Sequence, residues 1–163
     1  MNNLLDKLKK ASTVKQTAIL SQSTLFNKKD MVSTDIPILN IALSGSIDGG
    51  LIPGLTVIAG PSKHFKSNLA LVMASAYLTK FEDAVCLLYD TEFGITPDYL
   101  KAMNVDPDRC LHTPVEHIEQ LKFDIVKQLE NIDRGDKVII MIDSIGNLAS
   151  KKELQDAQNE KSV

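Results

Sequence analysis

The stretch LTVIAGPSKHFKSN, residues 55–68, decides how the chain is read. An apolar run at 55–59 leads into Gly60, a short loop follows, and Lys66 and Ser67 open a segment with helical apolar spacing. The run predicts a buried strand. The whole is close to the phosphate-binding loop G-x-x-x-x-G-K-[ST], with Gly60, Lys66 and Ser67 at the motif's spacing and Phe65 in place of its second glycine. The chemistry asks for this layout. Backbone N–H groups of a loop and a helix N-terminus face an anion, a lysine reaches the outer phosphates, and a hydroxyl ligates Mg²⁺. Gly60, Pro61, Ser62, Lys63, His64, Phe65, Lys66 and Ser67 are thus the candidate phosphate cradle. The plainer alternative is a glycine-started turn with a lysine at a helix start.

Two further apolar runs support the first reading. VIIMID ends at Asp143, a hydrophobic strand followed by the aspartate that handles Mg²⁺ in such sites. AVCLLYDTE ends at Asp90 and Glu92. Three strands that each deliver a polar group at the C-terminal end are how open α/β sheets build sites. A lysine at a helix N-terminus opposes the helix dipole, so Lys66 is best explained by an anion. Ser67 is either a cap or a Mg²⁺ ligand. Asp143 is either a turn former or metal-linked. Glu92 is the candidate general base that orients or deprotonates water, with Asp90 as competitor. Strand alternation puts both carboxylates on the same side and leaves that choice open. His64 reads as a phosphate contact or a solvated loop residue; His112 and His117 lack ligand spacing and read as structural.

With 163 residues, 44% hydrophobic and 24% charged, the chain suffices for one soluble domain with a real core. A net charge of −3 excludes an overall basic field, so any nucleic-acid contact has to be local or assembled. No apolar run is long enough to span a membrane and no secretory pattern opens the chain. Cys86 and Cys110 have no metal-type spacing and read as reduced thiols of a cytoplasmic chain.

In order, residues 3–20 carry Leu4, Leu5, Leu8, Ala11 and Val14 at helical spacing, which predicts a helix, packed on its own domain or docking on a neighbouring subunit. Residues 21–35 read as a linker with one short strand around Phe26, a candidate docking anchor. The organisation expected is an arm and linker at 1–35 and a core at 36–163. A helix is expected at 37–43, then glycine-rich punctuation. After the loop a helix buries Leu69, Val72, Met73, Ala76 and Leu78. Strands follow at 85–90, 110–113 and 137–142. Helices are predicted at 97–103, capped by Thr96, and from Val115 or Glu116 to Ile132; residues 151–160 are helical at most weakly. Alternation of this kind predicts an α/β fold with a mostly parallel central sheet.

These motifs together resemble the RecA-like recombinase family, and most closely its members from T-even-type phages. The resemblance rests on STDIPILNIALSGSIDGGLIPG before the loop, and on KKDMVSTDIP, PSKHFKSN, DAVCLLYDTEFGITPDYL and IDSIGNLASKKE. It covers essentially the whole chain. It implies a RecA-type P-loop NTPase core preceded by a helical arm, stopping soon after the strand that ends in Asp143. It also implies ATP and Mg²⁺ as cofactors, and single-stranded DNA and a homo-oligomeric filament as partners. Recombination mediator and single-strand-binding proteins would be further partners. By resemblance Glu92 is the catalytic glutamate, Ser67 and Asp143 serve the metal, Tyr99 stacks on adenine, and Phe26 contacts the next subunit. The family's adenine-side aspartate falls at Thr96, a departure. A phenylalanine at the second loop glycine is shared by the phage subgroup, so Phe65 is expected in an ordinary conformation with its ring packed aside.

The resemblance places further strands, a γ-phosphate-sensing residue and two DNA-binding loops beyond Val163. Residues 1–163 alone are therefore expected to bind nucleotide weakly, to dissolve poorly and not to respond to DNA. The competing readings are a non-catalytic module that docks on full-length recombinase subunits, and another P-loop NTPase such as a small kinase. The kinase reading lacks an arginine-rich lid, since only Arg109 and Arg134 follow the loop.

Overall fold

VCLLYD is apolar on both of its alternating faces, so as a strand it has to be covered on both sides. In the computed structural model, which describes residues 3–23 and 31–158, it forms β1 (Val85–Asp90), buried from Cys86 onward. β1 is the middle of a three-stranded parallel sheet, with β2 (Cys110–Pro114) on one side and β3 (Val138–Asp143) on the other. The registers place Asp90 opposite both Pro114 and Asp143, so the carboxyl ends of the strands are level.

Cys86 and Leu88 face one layer with Met141, Leu71, Leu78, Leu100 and Val105. That layer contains α3 (Lys66–Lys80) and α4 (Pro97–Ala102). Leu87 and Tyr89 face the opposite layer with Leu121 and Val115, where α5 (Ile118–Leu129) lies. This is the expected helix–sheet–helix architecture with a parallel sheet. The face α3 buries is Leu71, Met73, Ala74 and Leu78, whereas Leu69, Val72 and Ala76 of the expected set are only half-buried.

The helix ends explain why the elements start and stop where they do. Thr96 Oγ1 accepts from Tyr99 N at 3.2 Å with Pro97 at the first position, the predicted cap of α4. His117 Nδ1 accepts from Gln120 N and starts α5 two or three residues later than predicted. In α6 (Lys151–Gln158), Ser150 Oγ accepts from Glu153 N while Glu153 accepts from Ser150 N, a reciprocal capping box. Glu119 also accepts from Lys151 N, and that bond is the main cause holding its carboxyl below the usual range.

Arg109 fixes the direction of α3. Its guanidinium donates to the carbonyls of Leu78, Phe81 and Ala84 at 2.7–3.0 Å. Arg109 precedes β2 and Ala84 precedes β1, so the C-terminus of α3 sits at the amino edge of the sheet. Fifteen helical residues span about 22 Å, comparable to the strands. The N-terminus of α3, with Lys66 and Ser67, therefore lies at the carboxyl edge.

Before the loop, α2 (Pro37–Ser44) ends at Gly45, whose left-handed φ of 74° lets its N–H reach Ile41 O. Asn40 is buried and ties Thr34 to this helix through Thr34 N, Thr34 Oγ1 and Thr34 O. Val32 and Leu51 form an antiparallel bridge. A Cβ on Gly50, at φ 143°, would strike Val32 O, so glycine is required there.

Several expectations change. Residues 55–59 form no strand: Leu55 is 91% and Val57 76% exposed, and no ladder partner reaches them among the described residues. An extended apolar run becomes a strand only when a neighbour supplies the hydrogen bonds, and β1–β3 do not. The N-terminal helix is shorter than 3–20: α1 is Asn3–Ala11. It stops where Ser12 Oγ takes up Val14 N and pairs with Thr17 Oγ1, side-chain bonds that compete with helical ones. Phe26 and its expected strand lie outside the described residues. Cys86 and Cys110, remote in sequence, are in-register neighbours of β1 and β2. Their proximity, aided by burial, pushes the Cys86 thiol up, and the same proximity lowers that of Cys110. The chain divides into two compact units, residues 1–31 and 32–163.

Replacing Arg109 with alanine leaves the three carbonyls without their charged donor. The expected loss is about 2 kcal/mol of unfolding free energy, measured by urea denaturation. Arg109→Lys recovers only part of it, because an ammonium lacks the planar fork.

Candidate functional site

The carboxyl edge of the sheet gathers most of the residues singled out from the sequence. Lys66 and Ser67 stand at the start of α3, Asp143 ends β3, and Glu92 lies two residues beyond β1. Tyr99 is half-buried on α4, against the cluster of Leu71, Leu88 and Leu100. Pro61, Ser62, Lys63 and His64 form the exposed loop that leads into α3.

The loop satisfies itself. Lys66 Nζ donates to Pro61 O at 2.8 Å, which curls the side chain back over the loop, and His64 Nδ1 lies 2.8 Å from Ser62 O. Leu69 N bonds to Phe65 O, so the amides of Lys66, Ser67 and Asn68 precede the helical ladder and point outward, as in any first turn. Gly60 has open space where a side chain would be, with only Lys66 Cδ within 4.0 Å. A phosphate at this helix start would meet outward N–H groups, the positive end of the dipole and a mobile ammonium.

Phe65 departs from expectation. It caps α3 at φ 56°, in the left-handed region, and its ring is 74% exposed. Lys63 is left-handed as well, at φ 63°. The loop keeps the backbone path that the motif's glycine would permit, and a bulky residue follows that path at a cost of about 1–2 kcal/mol. The ring is not packed aside.

Asp90 and Glu92, which strand alternation does not separate, have different surroundings. Asp90 is 1% exposed, and its Oδ1 accepts from Glu92 N and Phe93 N at 3.0 and 2.7 Å. Its Oδ2 lies 3.3 Å from His112 Nε2. Asp90 is thereby occupied with the turn, and His112 is its partner, in keeping with a structural role. Glu92 is exposed, and its Oε1 accepts from Ser144 Oγ and Asn147 Nδ2 at 2.9 and 3.0 Å. Thr91 ties the same strand ends together: its N–H donates to Asp143 O, its hydroxyl to Ser144 O, and Ser144 N donates back to it. These bonds hold Glu92 next to the residue after Asp143.

Sequence reading missed Thr91, Ser144, Asn147 and His112 as members of this edge. The signal was present in the polar run after the third strand, DSIGN, where a serine and an asparagine follow a strand-ending aspartate.

A parallel sheet between helical layers, with a lysine-serine helix start and two carboxylates on its carboxyl edge, is an α/β core of the kind expected from the sequence. Comparison with known proteins agrees. The chain is 60% identical over all its 163 residues to the recombination and repair protein of Enterobacteria phage T4, of which it covers 42%. It is 31% identical over 134 residues to RecA of Synechocystis sp., 82% of this chain and 36% of that one. It is 31% identical over 137 residues to RecA of Lactococcus lactis subsp. cremoris, 83% and 33% of the two chains. No family model matches. The chain spans less than half the length of these relatives. Over that span it is similar to these recombination proteins, and the RecA likeness supports a RecA-type core.

Because the Phe65 ring buries little, Phe65→Gly removes the backbone cost and loses almost no packing. Glycine's greater freedom in the unfolded chain offsets roughly 0.5–1 kcal/mol of that gain. A net stabilisation of about 0.5–1 kcal/mol is expected, read as a higher melting temperature. A lower one would mean the ring has a partner that stabilises it.

Proposed function

We propose that this chain carries the ATP-binding part of an ATP-dependent DNA recombinase acting in homologous recombination and repair. The observation that carries the reading is the meeting of Lys66, Ser67, Asp143 and Glu92 at one edge of the sheet, in a chain with recombination relatives. Lys66 and the backbone N–H groups of 62–67 hold the phosphates of ATP. Ser67 and Asp143 fit a Mg²⁺ ion as hard oxygen donors, and neither side chain enters a hydrogen bond among the described residues. When bound, Mg²⁺ neutralises charge on the phosphate oxygens. Glu92 is the carboxylate that orients or deprotonates water, in preference to Asp90, whose oxygens are buried and already occupied.

Tyr99 is the adenine contact, supported by its half-exposed ring on α4. Single-stranded DNA and further copies of the chain are the partners. Mediator and single-strand-binding proteins are the wider set by family, and the host cytoplasm is the place of action. Residues 1–35 serve as the subunit-docking arm, with 36–163 as the core. Supporting the arm, α1 leaves Leu4, Leu5 and Leu8 exposed on an otherwise basic helix. No helix among the described residues is long and apolar enough to cross a membrane.

Lys66→Ala removes the one side-chain cation directed at the phosphates. Calorimetry with Mg-ATP is expected to register binding for the unchanged chain and none for the variant. Equal affinities would end the phosphate-loop assignment. In a chain completed with the rest of a relative's core, Glu92→Gln keeps the shape and is expected to retain affinity while slowing turnover about 10²–10⁴-fold. Asp90→Asn acts differently: it can keep Oδ1 on the two amides but loses the carboxylate oxygen facing His112, so its main effect is a lower unfolding midpoint.

A further inference from the structure

We infer that Asn147 is a positioning residue for Glu92: with Ser144 it holds one carboxylate oxygen, so that the other faces the reacting water. This rests on the reading of Glu92 as the water-activating carboxylate. The two donors converge on the same atom, Glu92 Oε1, at 2.9 Å from Ser144 Oγ and 3.0 Å from Asn147 Nδ2. A carboxylate gripped on one oxygen by two donors loses its rotation about the terminal bond, and Oε2 keeps its acceptor capacity.

The grip has rigid supports on both sides. On the Glu92 side, Asp90 Oδ1 takes the N–H of Glu92 and of Phe93, which fixes the backbone beneath the carboxylate. On the Asn147 side, the turn is closed by Leu148 N to Ile145 O, and Ala149 O accepts from Ile118 N at the start of α5. Leu148 itself packs with Tyr89 and Leu121 under the sheet. Asn147 thus stands on a turn anchored to two elements of the core, although its side chain is exposed. Exposed polar side chains on loops commonly turn to solvent. One aimed at a catalytic candidate from an anchored turn is better explained by orientation of that group.

Ser144 follows Asp143, so its contribution is entangled with the candidate metal residue. Asn147 is separated from it by three residues and gives the cleaner test. The asparagine offers a neutral N–H donor; an aspartate in its place would repel Glu92 and a leucine would release it.

The experiment has two readouts, the first on the 163-residue chain and the second on a chimera of this chain with the remaining core of its phage relative. The first is independent of turnover. In ¹⁵N-labelled protein, the Asn147 side-chain amide signal is expected to move on Glu92→Gln and to stay in place on Asp83→Asn, a control at the amino edge of the sheet. An amide unmoved by Glu92→Gln overturns the proposal. The second is single-turnover cleavage of radiolabelled Mg-ATP with protein in excess, beside calorimetric affinity for each variant. Asn147→Leu is expected to slow cleavage 10- to 100-fold with affinity within twofold, and Asn147→Gln, which keeps the donor, to recover part of the rate. Slowing by Glu92→Gln with full speed in Asn147→Leu sinks the positioning role and leaves Glu92 standing. Full speed in Glu92→Gln sinks the reading of Glu92 itself, and the positioning role with it. Loss of affinity in Asn147→Leu assigns the residue to binding and overturns the proposal as well.

Discussion

A carboxylate buried to 1% exposure is tolerated only if its charge is answered, and Asp90 is answered from three directions. Two are backbone amides of the turn that follows it, and the third is the His112 ring on the neighbouring strand. Because Asp90 ends the central strand, these bonds dictate where the chain goes next. They turn 91–93 sharply and put Phe93 at φ 53°. They also lift Glu92 off the sheet towards 144–147. The main-chain bonds from Thr91 N to Asp143 O and from Val115 N to Asp90 O carry the ladder to the same level on both flanks. The edge on which the candidate chemistry lies is therefore built outward from one satisfied charge.

Strain at this edge is balanced by anchoring at the other. Lys63 and Phe65 both hold left-handed backbones that cost non-glycine residues about 1–2 kcal/mol each. Left-handed residues beside a candidate site persist only where surrounding structure over-determines them. Here the determinant is α3. Leu71, Met73, Ala74 and Leu78 bury one of its faces, and Arg109 binds its last carbonyls to the start of β2. With the C-terminal end immobilised, the loop has to meet a helix start whose position it does not choose. The ammonium of Lys66 folding onto Pro61 O shows the same economy at the level of hydrogen bonds, since the loop supplies its own acceptor. A ligand phosphate would compete with that carbonyl for the same cation.

The parts of the fold legible in the sequence are those specified locally. β1 and β3 could be placed to within a residue because each is an apolar run bounded by polar or turn residues, and β2 follows from the turn at 105–108 that precedes it. Thr96 and Pro97 fixed the start of α4 through a cap that reads over four residues. The rest was hidden because it depends on distant partners. Arg109 looked like an ordinary loop arginine until three carbonyls from 78–84 met it. Asp90 and Glu92 share a face by alternation, and in the structure His112 and the 144–147 turn distinguish them. Phe65 was misjudged because substitution of a motif glycine does not reveal whether the backbone or the side chain gives way. The backbone kept its left-handed path, and the ring went outward.

The unpaired segment at 55–59 is the most instructive disagreement between sequence preference and structure. Its composition favours a buried strand, yet Leu55 and Val57 are among the most exposed apolar residues described. Local preference and surroundings conflict at this one place, while agreeing along β1, β2 and β3. β3 in turn has a ladder on the β1 side alone among the described residues. Both stretches need backbone partners that the three-stranded sheet does not contain. The segment runs straight into Gly60, so any strand that paired with it would also set the height of the loop relative to Lys66. The position of the phosphate-binding candidates is thus coupled to sheet pairing as well as to α3. Of those two constraints only the helix is satisfied within β1–β3 and their covering layers.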